Sequence, residues 1–239
     1  MDKKLNLPFD EVYCINLVER DDRYTLQCKQ YQALGIDNKV IFHRDVKHPF
    51  VNEISDFLRT TYGAKIEKSA FNCARNHYMI IKSAYLRGVN SIMVIEDDNQ
   101  FYNDIEVLQK YFDNLPNDWE VLRINCLRGK FEQDQFLRQD NIDKLWKPIE
   151  NALWGTGSYA LSREGMRKII EWIDTRYDAI DIPLYQHWKL KAKQYIPNIP
   201  LGLCFTDDYG TDIDVGNALD GPQYYYKQIV GLDVSKYTY

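Results

Sequence analysis

SIMVIEDDNQF, residues 91–101, decides the reading of this chain. Four apolar residues, Ile92 to Ile95, run without a break into Glu96, Asp97 and Asp98. A short continuous apolar run is a strand buried on both faces, as in a parallel sheet covered by helices. Three adjacent carboxylates at its end repel one another: two like charges about 4 Å apart cost about 4 kcal/mol at an effective dielectric of about 20. Relief comes from a carboxyl that stays protonated or from a cation. Hard oxygen ligands suit Mg2+ or Mn2+, which also bind phosphates. In an extended strand Glu96 and Asp98 point one way and Asp97 the other. A plain loop start, with Asp98 or Asn99 opening a turn, is the alternative.

Outward from this strand, the pattern alternates. VYCINL (12–17) is a first strand, and Asp21 or Asp22 caps a helix that Gly35 ends, with Tyr24, Cys28, Tyr31 and Leu34 on one face. KVIFHRDV (39–46) is a second strand, and a helix runs from about 72 to 87 with Gly88 as its stop. After the 91–96 strand come a helix over 104–115 and a strand over 119–126. This order predicts an α/β fold with a mainly parallel sheet, whose ligands bind beyond the carboxyl ends of the strands. Residues 127–144 read as a loop, SYALS (158–162) as a strand, Ser162 as a helix cap, and Pro183–Lys193 as a helix. The chain from Tyr195 carries no clear pattern. No linker divides the sequence, so residues 1–239 are expected to form one domain.

The 239 residues carry a net charge of −5, which argues against a general nucleic-acid or anionic-membrane binder. Any phosphate site must be local. The five cysteines are odd in number and contain no CxxC pair, so a reducing compartment is expected. No segment resembles a signal peptide or a transmembrane span. The expected location is the cytoplasm, with membrane association only peripheral, through an acceptor. Cys73 and His77, four apart on a helix, have metal-ligand spacing, yet no third ligand stands near them in sequence. The four aspartates of FTDDYGTDID (205–214) read as a second acidic site or as a solvated loop.

AFNCARNHYMIIKSAYLRGVNSIMVIEDD (70–98) resembles the core block of glycosyltransferase family 25, with Cys73, His77 and Glu96-Asp97-Asp98 in matching order. INLVERDDR (15–23), GTGSYALSREGMRKII (155–170) and AIDIPL (179–184) resemble three further blocks. The chain departs from the family pattern at Ala70, Asn72 and Asn76. The resemblance implies a GT-A-like, Rossmann-like mixed sheet, with a nucleotide-binding half over about 1–125 and an acceptor half over about 126–239. It implies metal-dependent transfer of a hexose, galactose or glucose, from a UDP-sugar to a glycan or protein hydroxyl, with inversion. The cofactor would be Mn2+ or Mg2+.

On that resemblance Asp98 is a direct metal ligand, Glu96 a second or water-mediated ligand, and Asp97 a partner of ribose or donor sugar. Asn16 and Leu17 close the first strand beside the nucleotide. Arg20 and Arg23 either contact phosphate or pair with Glu19, Asp21 and Asp22. His77 touches substrate or supports the strand bearing Glu96. Gly157, within Gly155–Ser158, lines a sugar pocket or serves a turn, beside Trp154 and Tyr159. Asp181 is the general base or a helix cap, with Asp178 in reserve, and His187 reaches the metal or is an ordinary helix residue. Two other readings stay open: a catalytically silent relative that binds glycan or protein, and a nucleotidyltransferase using the same acidic strand end.

Overall fold

The computed structural model describes residues 3–46, 68–127, 144–149, 154–176, 180, 183–184 and 187–204. Its elements are β1 (Glu11–Leu17), α1 (Asp21–Leu34), β2 (Val40–Asp45), α2 (Lys68–Leu86), β3 (Ser91–Glu96), β4 (Asn99–Phe101), α3 (Ile105–Phe112) and β5 (Val121–Leu127). They continue with β6 (Trp146–Pro148), β7 (Trp154–Ser162), α4 (Arg163–Arg176), α5 (His187–Leu190), β8 (Gln194–Pro197) and β9 (Gly202–Cys204).

Seven strands form one sheet in the order β2-β1-β3-β7-β5-β8-β6. β1 pairs parallel with both β2 and β3, and β5 pairs parallel with β8. β7 lies antiparallel between β3 and β5, and β6 is antiparallel to β8. Thus β2, β1, β3, β5 and β8 run one way, and β7 and β6 the other. The sheet is mixed and mainly of one direction, as expected. The strand that follows β3 and its helix in sequence does not pair with it: β7, from much later in the chain, takes that place.

Strand alternation sorts the core into two layers. Val12, Cys14, Met93, Ile95, Leu122 and Ile124 pack on one face, with Tyr31 and Leu34 of α1 and Leu108, Tyr111 and Phe112 of α3. Tyr13, Ile15, Ile92, Val94, Tyr159 and Leu161 pack on the other, with Ile80, Ile81 and Ala84 of α2 and Met166, Ile169 and Ile170 of α4. Ile92 to Ile95 are all fully buried, each worth about 1.5–3 kcal/mol of hydrophobic stabilisation.

Two helix stops fall where expected. Gly35 caps α1 at φ 70°, and Gly88 follows α2 at φ 84°, left-handed conformations that disfavour other residues. The start of α1 differs: Arg20 is its N-cap and makes no capping bond through its side chain. Asp21 and Asp22 lie in the first turn, where their charge favours the helix dipole without capping. The Ser162 cap holds, its hydroxyl accepting from the Gly165 amide at 3.2 Å.

β7 begins at Trp154, earlier than the expected 158, so Gly155–Ser158 are strand residues and not a turn. Register shifts in the β5–β7 pairing absorb the irregularity, and Gly155 has φ 83° there. Helix α5 ends at Leu190 because Lys191 turns to φ 53°. The 205–214 acidic segment and most of the 127–144 stretch lie outside the described residues. Cys14 and Cys28 are free thiols. No helix among the described residues is long and apolar enough to cross a membrane.

Candidate active site

β3 ends at Glu96, so Asp97 and Asp98 are turn residues leading into β4. The alternation expected from an extended strand therefore applies to Glu96 and Asp97 but not to Asp98. The pairing of β4 with β9, Asn99 opposite Cys204, closes a small second sheet just beyond the turn.

Asp97 is held from the α1 side. Asn16 Nδ2 donates to its Oδ2 at 2.7 Å and Arg23 NH1 to its Oδ1 at 2.8 Å. All three residues are buried. Burial lifts the Asp97 carboxyl above its ordinary range, against the opposing pull of Arg23 and Asn16. Asn16 also donates to the Arg20 carbonyl at 3.1 Å and accepts from Arg44 Nε at 2.9 Å. Its side chain is therefore occupied within the protein. The Leu17 carbonyl accepts from the Arg20 amide at 2.9 Å, which turns the chain from β1 into α1. Arg20 makes a two-pronged bond to Asp22, Nε at 3.0 Å and NH2 at 2.8 Å. That pair draws the exposed Asp22 carboxyl down to about 2.

Two residues that sequence reasoning passed over fix the turn. Gln27 Nε2 donates to the carbonyls of Asp97 and Asn99, each at 2.9 Å. Gln30 Nε2 donates to the Asn99 carbonyl at 3.2 Å, and its Oε1 accepts from the Phe101 amide at 2.6 Å. Arg23, Gln27 and Gln30 are all buried, so α1 turns a polar stripe toward the sheet end. The 4-then-3 spacing of these residues was the available signal, because it places them on one helix face. Asn125 of β5 donates to Asn99 Oδ1 at 2.5 Å and braces the turn from below.

Glu96 faces the α2 layer. His77 Nε2 lies 3.2 Å from its Oε1, and Thr156 of β7 donates to the same oxygen. His77 is fully buried, and its Nδ1 lies 2.8 Å from the Tyr159 hydroxyl. Burial would raise the Glu96 carboxyl, but the bonds from His77 and Thr156 outweigh it and leave the group below its ordinary range. The Cys73, His77 and Glu96 ligand atoms lie within 4.8 Å of one another, so the fold supplies the third group that the sequence lacked around Cys73 and His77.

Asp98 differs from both neighbours. It is buried, and its Oδ1 has no hydrogen-bond partner among the described residues. Burial, together with the charges of Glu96 and Asp97 and against that of Arg23, pushes its carboxyl up to about 7. A buried acceptor without a donor is costly, and a divalent cation with oxygen preference fits it. Gly157 is buried within β7. Asp178 and Asp181 lie outside the described residues, as does the side chain of His187.

A mixed, mainly one-directional sheet with helices on both faces and an acidic turn at the end of β3 defines a GT-A-like α/β fold. The model for "Glycosyltransferase family 25 (LPS biosynthesis protein)" matches residues 9–183, and the chain belongs to that family. Procollagen galactosyltransferase 1 of Danio rerio is 25% identical over 178 residues, which is 68% of this chain and 28% of that protein. Inactive glycosyltransferase 25 family member 3 of Mus musculus is 22% identical over 184 residues, 70% of this chain and 30% of that protein. The chain thus corresponds to less than a third of the length of these curated relatives. Among solved structures, the glycosyltransferase GlyE of Streptococcus pneumoniae TIGR4 aligns at TM-score 0.40 and 10% identity, over 80% of this chain and 45% of that one.

Proposed function

We propose that this chain is a metal-dependent hexosyltransferase that moves galactose or glucose from a UDP-sugar to a hydroxyl of a glycan or glycoprotein. The observation that carries the reading is Asp98: a buried carboxyl whose Oδ1 lacks a donor among the described residues, in the turn just beyond the carboxyl end of β3, beside two carboxylates that protein groups already hold. Asp98 would be the protein's direct ligand to Mn2+ or Mg2+. Bound there, the cation would offset the negative charge that the departing nucleoside diphosphate gains.

The chain's own residues do the positioning. Asn16 and Arg23 fix Asp97 in one orientation, with one bond to each carboxylate oxygen. Gln27 and Gln30 hold the 97–101 backbone, so Asp98 does not relax when its charge changes. Asp181 remains our candidate base for the acceptor hydroxyl, within the family-matched region. On this reading residues 1–239 form one domain, with the nucleotide half over about 1–125 and the acceptor half over about 126–239. The free thiols of Cys14 and Cys28 fit a reducing, cytoplasmic setting.

Titration with UDP, with and without Mn2+, tests the reading, followed by a nucleotide-sugar hydrolysis screen. Mn2+-enhanced UDP binding and slow UDP release from one sugar nucleotide are expected. Absence of both would favour a catalytically silent binding protein, a reading that the similarity to an inactive family member also supports.

A further inference from the structure

The Cys73–His77–Glu96 cluster has a donor chemistry unlike that of Asp98. Cys73 and His77 stand four apart on α2, which puts both side chains on one helix face. β3 brings Glu96 up to that face, with the sulfur, ring nitrogen and carboxylate oxygen within 4.8 Å of one another. Ligand atoms around a tetrahedral zinc ion are separated by roughly 3.3–3.7 Å, given bonds of about 2.0–2.3 Å. The 3.2 Å between His77 Nε2 and Glu96 Oε1 is close to that spacing before any ion arrives.

We propose that Cys73, His77 and Glu96 form a binding site for Zn2+, separate from the cation at Asp98. Thiolate and imidazole select a borderline-soft ion, whereas an all-oxygen set selects Mn2+ or Mg2+. The surrounding groups match what a zinc-bound histidine requires. Nδ1 of His77 faces the Tyr159 hydroxyl oxygen at 2.8 Å, which would accept the ring proton and leave Nε2 as the ligand atom. Thr156 bonds the Glu96 carboxylate and orients it. Binding displaces the Cys73 thiol proton, and any proton on Nε2, to solvent. Three protein ligands leave the fourth position of a tetrahedral ion to water or an added ligand.

Titration of the metal-free, reduced full chain with Co2+ tests the site by absorption. One equivalent should produce a near-ultraviolet sulfur-to-cobalt band and intense visible bands of tetrahedral cobalt. Zn2+ should displace both, and excess Mg2+ should not. Cys73→Ser should abolish the sulfur band and weaken Zn2+ binding by about tenfold or more, with an unchanged circular dichroism spectrum. Should Cys73→Ser misfold, zinc-edge absorption of the unaltered protein gives the same information: one sulfur and two or three nitrogen or oxygen ligands support the site. A sulfur band that survives Cys73→Ser, an absent band, or a zinc shell without sulfur would overturn it. Asp98→Asn should retain the cobalt spectrum. Absence of Mn2+-enhanced UDP binding in the unaltered protein, with an intact cobalt spectrum, would therefore sink the donor reading alone.

Discussion

Arg23 on α1 and Asp97 after β3 are joined across 74 positions of sequence by an ion pair of 2.8 Å, with both side chains almost closed to solvent. Asn16 occupies the other carboxylate oxygen. The acidic triplet is therefore three separate environments: Asp97 bonded to α1 and β1, Glu96 bonded to α2 and β7, and Asp98 with an oxygen left open.

Removing one partner of a buried pair strands the other charge. Arg23→Met should destabilise the protein by about 3–5 kcal/mol in denaturant titration. The double variant Arg23→Met, Asp97→Asn should recover part of that loss, because it removes the stranded charge. Equal stability of Arg23→Met and the unaltered protein would show that the pair is solvated in solution.

Asp98 gives the metal-free protein a characteristic pH dependence. Its folded-state pKa, about 7, lies above the ordinary 3.8, so the folded state binds the proton more tightly. Its contribution to stability is present below about pH 4 and is lost as pH rises through 7. Asp98→Asn should flatten this fall and raise metal-free stability at pH 8 by roughly 1 kcal/mol or more. Mn2+ should raise the thermal midpoint of the unaltered protein at pH 8 and leave that of Asp98→Asn unmoved. Thermal melts at pH 5 and pH 8, with and without Mn2+, check each part, and Asp98→Asn should also lose donor-sugar hydrolysis.

Thr156→Val keeps the shape of the side chain and deletes the donor to Glu96. On the proposed function, a group that orients a participating carboxylate commonly contributes about 10–100-fold, so turnover should fall by about that factor. The thermal midpoint should change little, since a single hydrogen bond is worth about 1 kcal/mol net. Unchanged turnover would mean that the Thr156 bond to Glu96 does not support the reaction.

Asp181→Asn separates binding from transfer. UDP affinity measured by calorimetry should stay within about twofold, while transfer to an acceptor should fall by about 100-fold or more, the usual contribution of a general base. If transfer survives, the base lies elsewhere.

Much of the fold was legible because its causes are local. Four apolar residues at 92–95 must be buried, glycine at 35 and 88 must end helices, and alternating strands and helices must layer. The acidic end of β3 was legible as a place that needs compensation for the same reason: adjacent charges repel wherever the chain goes. The partners of those charges were not. Arg23 lies 74 residues from Asp97, and Tyr159 lies 82 from His77. Each meeting depends on the register of β1 against β3 and on β7 entering between β3 and β5. Gln27 and Gln30 carry no hydrophobic signal in the sequence, and only packing turns their face inward. The sequence by itself determined which groups could not stay uncompensated; the tertiary structure decided which of them the protein compensates and which it leaves open, because hydrogen bonds reach only about 3 Å and only the folded sheet sets those distances.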